Sequence, residues 1–207
     1  MNIKKLIKCS CILSAFLLIV GICFITILMP EKLLSFREMR SVKRIITNSN
    51  YNSIGFTGVT KGKYDGYEFD FEIYDRSSDN TLDEALDCYT KMLDYIAEND
   101  MSLNNKVITF RLREKNESGP GTIEISNYCK QTDSFDFRSV RYVSVHCCST
   151  DLSPLERCTE TINYISISDI PDLKMPDLTT FSKLKDVDIS NCTDDNGNTI
   201  LSDTMSR

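Results

Sequence analysis

Strict alternation of apolar and polar residues predicts β-strands in the middle of the chain. Residues 67–75, YEFDFEIYD, place Tyr67, Phe69, Phe71 and Ile73 on one side and carboxylates on the other. A period of two with aromatic and branched side chains is typical of a strand with one buried face. The preceding SIGFTGVT and the connecting KGKYDG predict a β-hairpin. We interpret the carboxylates as solvated strand residues, because carboxylates spread along one strand do not converge on a cation.

A helical period follows in residues 80–100 and predicts an amphipathic helix. Its apolar stripe consists of Leu82, Ala85, Leu86, Tyr89, Met92, Leu93 and Ile96. We expect Thr81 and Glu84 to form a capping box at its start. The segments KVITFRLRE and TIEIS, joined through NESGPG, then predict a second strand pair. Residues 51–130 are therefore expected to run strand, strand, helix, strand, strand.

A longer period occurs in the last third of the chain. One frame, apolar-x-x-apolar-x-apolar-x-x-apolar (or Cys), begins at Val140, at Ile162 and at Leu184, and the offset between successive frames is 22 residues. Strands of period two at a constant offset are expected to stack side by side, about 4.8 Å apart. Val143 and Val145 would then point inward, and Ser153 with Pro154 would begin a return segment.

The frame resembles the conserved segment of leucine-rich repeats, most plainly at Leu184, Val187, Ile189 and Cys192. The three units fall within residues 137–195. A degenerate fourth unit is formed by Ile123, Ile125 and Tyr128. No unit has Asn at the last position, and Val or Ile mostly replaces Leu. The resemblance implies a short repeat-like parallel sheet; the alternative is a few parallel strands in an ordinary α/β domain.

The outward positions of these strands are expected to form rows. One row would hold Thr122, Tyr142, Tyr164 and Asp186, and the next Glu124, Ser144, Ser166 and Asp188. The resemblance implies binding on this face, at Tyr142, Ser144, Tyr164, Ser166, Asp186 and Asp188. Tyrosines flanked by acids and hydroxyls suit a polar peptide, a basic protein patch or a sugar. The alternative is that these are simply solvated strand residues.

The N-terminal segment carries the pattern of a membrane helix. Residues 9–29 are 21 consecutive uncharged, mostly apolar residues, enough to span roughly 30 Å as a helix. A cleaved signal peptide would have a shorter apolar core and a small-x-small site. We therefore predict a signal anchor in residues 1–30 and a juxtamembrane helix in residues 31–50.

Charge bears on the orientation of the anchor and on the partner. Lys4, Lys5 and Lys8 precede the helix and favour a cytoplasmic N-terminus with the C-terminal domain outside. Basic residues after the helix make the count ambiguous, and the opposite orientation would leave the domain in the cytoplasm. From Glu31 onward, 21 basic residues face 30 acidic ones. An acidic surface repels phosphate backbones, so we predict no nucleic-acid partner.

Catalytic and metal-binding motifs are not recognisable in the sequence, and no cofactor or metal site is predicted. His146 is the only histidine, and no C-x-x-C pair occurs. Six cysteines lie beyond the anchor: Cys88, Cys129, Cys147, Cys148, Cys158 and Cys192. Their even number permits disulfides in an exported domain, but their spacing does not fix the pairing.

These observations predict an α+β protein with an N-terminal transmembrane helix, a β-hairpin–helix–β-hairpin region and a short parallel repeat-like sheet, in which residues 51–207 form a single domain. The favoured function is a single-pass, membrane-anchored, non-enzymatic binding domain for a protein, peptide or glycan. One alternative is a thiol-dependent enzyme using Cys147 or Cys148 with His146. Another is a structural subunit of a membrane complex.

Overall fold

An α+β fold built on a seven-stranded mixed sheet forms the body of the protein. The computed structural model describes residues 36–62, 66–74, 80–99, 101–114, 121–128, 137–148 and 151–200. Its helices are α1 (Phe36–Asn48) and α2 (Thr81–Glu98). Its strands are β1 (Ile54–Lys61), β2 (Tyr67–Ile73), β3 (Ile108–Glu114), β4 (Thr122–Ser126), β5 (Tyr142–His146), β6 (Tyr164–Ser168), β7 (Asp186–Ser190), β8 (Cys192–Thr193) and β9 (Thr199–Ile200).

The large sheet follows chain order from β1 to β7. Strands β1 and β2 form the predicted antiparallel hairpin. Helix α2 connects β2 to β3, and these two strands are parallel. The pairs β3–β4 and β4–β5 are antiparallel, whereas β5–β6 and β6–β7 are parallel. The short strands β8 and β9 pair with each other.

One face of the sheet forms the hydrophobic core. The apolar inward residues of β2 to β7 from Phe69 onward are at most 9% exposed. Tyr89 of α2 is fully buried, and its ring lies 4.9 Å from that of Phe110 in an edge-to-face arrangement. Its hydroxyl donates to the Ile108 carbonyl at 2.9 Å. The phenol therefore contributes apolar area to the core while its one polar atom remains satisfied.

The 22-residue period corresponds to the stacking of β5, β6 and β7. Val143 lies opposite Ile165, which lies opposite Val187. The residue after each strand has a positive φ: 56° at Cys147, 58° at Asp169 and 54° at Asn191. This backbone turn directs the next residue of each unit inward, namely Cys148, Ile170 and Cys192, all of which are buried. The predicted stack of three parallel strands is thus confirmed.

The return segments between these strands are short. Residues Ser153–Cys158 form a 3₁₀ helix with Pro154 in its first turn, as the Ser-Pro pair predicts. A second, shorter 3₁₀ helix covers Leu178–Thr180. Asp177 caps it, because its side chain accepts a hydrogen bond from the Thr179 amide. Brief 3₁₀ connections allow one strand to follow another within 22 residues.

Two sequence-based expectations about local structure are wrong. The capping box is not formed: Asn80 is the N-cap of α2 and makes no side-chain cap hydrogen bond. The Glu84 carboxylate instead accepts hydrogen bonds from the amides of Asn52 and Ser53, at 3.2 and 2.8 Å. The expected fourth parallel unit is also wrong, since β4 runs antiparallel to β5.

The predicted anchor in residues 1–30 lies outside the described residues. Among the residues that are described, no helix is both long and apolar enough to cross a membrane. The expected juxtamembrane segment contains α1, where Val42 and Ile46 are buried and Lys43 and Arg44 are exposed. The chain divides into two compact units, residues 1–40 and 41–207.

Candidate functional site

The polar face of the sheet, opposite the core, carries its side chains in three rows that cross β2 to β7. The first row is Glu68, Thr109, Ser126, Tyr142, Tyr164 and Asp186. The second is Asp70, Arg111, Glu124, Ser144, Ser166 and Asp188. The third is Glu72, Arg113, Thr122, His146, Ser168 and Ser190. These rows arise because alternate residues of paired strands share a face.

The six predicted binding residues lie together on this face. Tyr142 is directly opposite Tyr164, and Tyr164 is opposite Asp186. Ser144, Ser166 and Asp188 follow in the same order one row away. The two aspartates are exposed, and the tyrosines and serines are partly exposed. The site is therefore a continuous patch that becomes more exposed toward β7.

Thr122 was expected beside Tyr142, and this expectation is wrong. Because β4 is antiparallel to β5, Thr122 lies opposite His146 and Ser126 takes the place beside Tyr142. Glu124, at the centre of β4, lies opposite Ser144 in either direction, as predicted. Ser126 is buried, and its hydroxyl donates to the Ile108 carbonyl. The residue next to Tyr142 is consequently Ser126, whose hydroxyl is already hydrogen-bonded.

Tyr142 is partly buried. Its partial burial raises the pKa of the phenol, and the negative charges of Glu124 and Asp188 raise it further, while a hydrogen bond with Ser144 acts in the opposite direction. The phenol therefore stays protonated at neutral pH. A neutral hydroxyl can both donate and accept a hydrogen bond, which suits a polar partner.

The β2–β3 half of the polar face contains an ion pair that the sequence analysis missed. Arg111 Nη2 lies 2.6 Å from Glu68 Oε1. The side chains are 27% and 12% exposed, so this pair is largely shielded from water. Sequence alternation alone suggested a fully solvated acidic stripe on β2. The pairing becomes recognisable only once β3 is known to lie beside β2.

A shallow cavity of about 490 Å³ lies at the β1–β3 end of the same sheet. It is lined by Thr57, Gly58, Asp70, Phe71, Glu72, Arg113 and Glu114. Its lining contains three carboxylates and one arginine, and it does not include any of the six predicted binding residues. The cavity and the candidate patch are separate features.

A second group missed by the sequence analysis follows the ends of the parallel strands. His146 Nδ1 lies 2.8 Å from Ser168 Oγ and 3.1 Å from Asp169 Oδ2. Asn191 Nδ2 donates to the other oxygen of Asp169 at 3.1 Å. The Asp169 carboxylate thus links three successive strand ends. A catalytic Ser-His-Asp triad needs the serine and the carboxylate on different ring nitrogens, whereas here both contact Nδ1.

The cysteines of the described residues are thiols that do not take part in disulfides: Cys88, Cys147, Cys148, Cys158 and Cys192. Cys129 lies outside the described residues. Cys148 is 4% exposed, and its sulfur lies 3.4 Å from the Thr122 carbonyl. A Cβ added to Gly121 would lie 2.7 Å from Cys148 Cβ, which shows how closely the backbone covers that residue. This arrangement gives no support to Cys148 as a nucleophile.

Metal ligands are not gathered in the described part of the chain, where no group of three or more His, Cys, Asp or Glu side chains could hold an ion. The acidic loop between β8 and β9 is a turn: Asp194 Oδ1 accepts hydrogen bonds from the amides of Asn196 and Asn198. The Asn198 side chain donates to Asp194 Oδ2 at 3.0 Å, and this bond, followed by the backbone bonds, lowers the pKa of Asp194. The Asp194 carboxylate therefore stabilises the turn through hydrogen bonds.

No protein-family model matches the chain, no curated protein matches it, and no solved structure matches its fold.

Proposed function

We propose that the chain is a membrane-anchored, non-enzymatic binding domain that holds a protein, peptide or glycan on the polar face of β4–β7, outside the cytoplasm. The observation that carries the proposal is the in-register pair of rows, Tyr142–Tyr164–Asp186 and Ser144–Ser166–Asp188. Both rows are at least partly accessible to solvent.

The composition of the patch supports recognition better than catalysis. Tyrosine offers a large contact area with only two side-chain torsions to fix, and its hydroxyl can both donate and accept a hydrogen bond. Serine hydroxyls and carboxylates add hydrogen-bonding groups to the same surface. The one histidine beside the patch is held through Nδ1 by Ser168 and Asp169.

The sequence supports the membrane part of the proposal. The 21 uncharged residues of positions 9–29 precede α1, and such a run suffices to span a bilayer. A resemblance of the β5–β7 frame to leucine-rich repeats agrees with partner binding on the sheet face. A domain tethered in this way would present the patch to partners near the membrane surface.

Photo-crosslinking in native membranes tests the proposal. A benzophenone amino acid at Ser166, at the centre of the patch, should give a discrete adduct. The same amino acid at Asp94, an exposed position on α2, should give none. Y142A/Y164A should remove the Ser166 adduct while circular dichroism remains unchanged. Equal labelling from both positions, or none from Ser166, would refute the polar face as the binding surface.

A further inference from the structure

We infer that the partner presents arginine and lysine side chains, so that the patch on β4–β7 is a receptor for a basic polypeptide segment. The inference rests on the proposed function and narrows its partner class. It follows from a difference between the two halves of one sheet face.

The charge of the patch is of one sign. The twelve outward residues of β4–β7 in the three rows include three carboxylates and no lysine or arginine. The carboxylates are Glu124, Asp186 and Asp188. His146, the one ionisable nitrogen base among the twelve, lies at the end of the third row against Asp169. The β4–β7 part of the first two rows therefore presents only negatively charged groups to a partner.

The other half of the face shows how this sheet satisfies its carboxylates. Glu68 on β2 receives the guanidinium of Arg111 from the adjacent strand, with the two atoms 2.6 Å apart. Arg111 also lies directly opposite Glu124 of β4. In both cases the complement of an acid is an arginine from the next strand, in the geometry of cross-strand pairing.

Asp186 and Asp188 lack such a complement. They belong to β7, the last strand in the order of the sheet. Neither carboxylate makes an ion pair or a side-chain hydrogen bond with the described residues. Both are exposed, so both are accessible to a partner. A basic segment beside β7 would supply what Arg111 supplies to Glu68.

The tyrosines favour the same partner. Tyr164 lies between Tyr142 and Asp186 in one row, with about 4.8 Å between neighbouring strands. A guanidinium that contacts the Tyr164 ring can therefore also reach the Asp186 carboxylate. Arginine stacks on aromatic rings and binds carboxylates through two N–H groups, and lysine offers a single ammonium. Arginine should consequently bind better than lysine.

A glycan is the less favoured occupant. A neutral sugar gains nothing from the net charge of uncompensated carboxylates, and an acidic sugar is repelled by it. The excess of 30 acidic over 21 basic residues beyond the anchor acts in the same direction. Charge therefore distinguishes the two classes of partner, although the tyrosines alone would suit either.

Binding of defined peptides to the full-length protein in detergent tests the inference. The probe is a fluorescent synthetic peptide of alternating arginine and serine, followed by anisotropy. We expect saturable binding that weakens with added salt, and no binding of the same peptide with citrulline in place of arginine. D186N/D188N should weaken binding about tenfold or more. The control D94N/E98Q removes the same charge from exposed positions of α2 and should change binding by less than about twofold.

Two results would overturn the inference. The first is no binding of the arginine peptide, and the second is an equal loss in D186N/D188N and D94N/E98Q, which would indicate attraction to overall charge alone. If the Ser166 adduct still forms when the arginine peptide does not bind, only the partner class is wrong. Binding of chitohexaose that is lost in Y142A/Y164A would then assign the face to a glycan. If the Ser166 adduct is also absent, the proposed function fails as well.

Discussion

Arg111 neutralises a shielded carboxylate on the neighbouring strand. Its guanidinium contacts Glu68, a carboxylate residue that is only 9% exposed. A carboxylate so far removed from water is costly without a partner. The sheet tolerates Glu68 on β2 only because β3 brings an arginine alongside it.

Replacing Arg111 should therefore expose this cost. We expect R111M to lower the free energy of unfolding by about 2 kcal/mol, because it leaves Glu68 shielded and unpaired. The double variant E68Q/R111M should recover part of the loss, since position 68 then carries no charge. Urea denaturation measures both. The control R113M, at an exposed position of the same strand, should cost less than about 0.5 kcal/mol. Strict additivity of E68Q and R111M would contradict this account.

Cys88 provides a test of burial through pH. Burial, with a contribution from Asp87, raises the pKa of this thiol from 9.0 to about 12. The unfolded chain therefore loses the proton at lower pH than the folded chain does. Stability from this group is complete below about pH 9 and is lost as pH rises toward 12.

We expect the free energy of unfolding to fall with a slope that approaches 1.4 kcal/mol per pH unit for this one group. The variant C88A removes the titrating thiol and should flatten the slope between pH 9 and 10. Chemical denaturation at a series of pH values gives both slopes. An identical pH dependence in C88A and in the unmodified protein would assign the loss to other groups.

At the scale of elements, the periodicity of the sequence predicted which residues face the core. It did not predict the direction of each strand. The alternation in β2 and the 22-residue offset of β5–β7 identified which residues lie inward, because the period of side chains is set by the strand itself. The same alternation occurs in parallel and antiparallel strands. For this reason the pattern at Ile123 and Ile125 did not reveal that β4 is reversed, and it misplaced Thr122 by two rows.

The predicted capping box is absent because groups distant in sequence bind the same carboxylate. Thr81 and Glu84 have the spacing of a capping box, but the Glu84 carboxylate binds the amides of Asn52 and Ser53. That contact joins α2 to the segment between α1 and β1, which is 31 residues away in sequence. A neighbouring bond from the Tyr51 hydroxyl to Asp87, at 2.7 Å, joins the same two segments. Sequence spacing does not contain this information.

The turns after β5, β6 and β7 are equivalent, so the residue in one turn can be compared with those in the other two. All three have a positive φ, but the residues are Cys147, Asp169 and Asn191. Asn and Asp tolerate this conformation better than other side chains with a Cβ. We expect C147N to raise the free energy of unfolding by about 0.5–1 kcal/mol. D169A should lower it, because it removes both a tolerant residue and the bridge to His146 and Asn191. Destabilisation by C147N would contradict the equivalence of the three turns.

At the scale of the whole molecule, the two faces of one sheet have different tasks. The apolar face holds α2 and determines stability, whereas the polar face changes from internally paired charge at β2–β3 to uncompensated charge at β7. The six patch residues were predictable because they follow the 22-residue period. The Glu68–Arg111 pair was not predictable, because it depends on the parallel pairing of β2 with β3, which are separated in sequence by α2.

The anchor is the property of the whole chain that most needs a direct test. We expect the full-length protein to sediment with membranes and to resist carbonate extraction, because residues 9–29 contain no charge. A chain that begins at residue 36, the start of α1, should remain in the supernatant with an unchanged thermal unfolding midpoint. Release of the full-length protein by carbonate would refute the anchor.

Orientation is tested on intact cells with an added protease. The three lysines before the anchor favour a domain outside the cytoplasm, so trypsin should cleave at exposed sites such as Arg157 without lysis. Protection of the domain until the cells are lysed would place it in the cytoplasm. In that case the basic residues that follow the anchor, among them Lys43 and Arg44, would outweigh the three lysines before it. The arginine-rich partner would then have to be sought on the cytoplasmic side, with the patch itself unchanged.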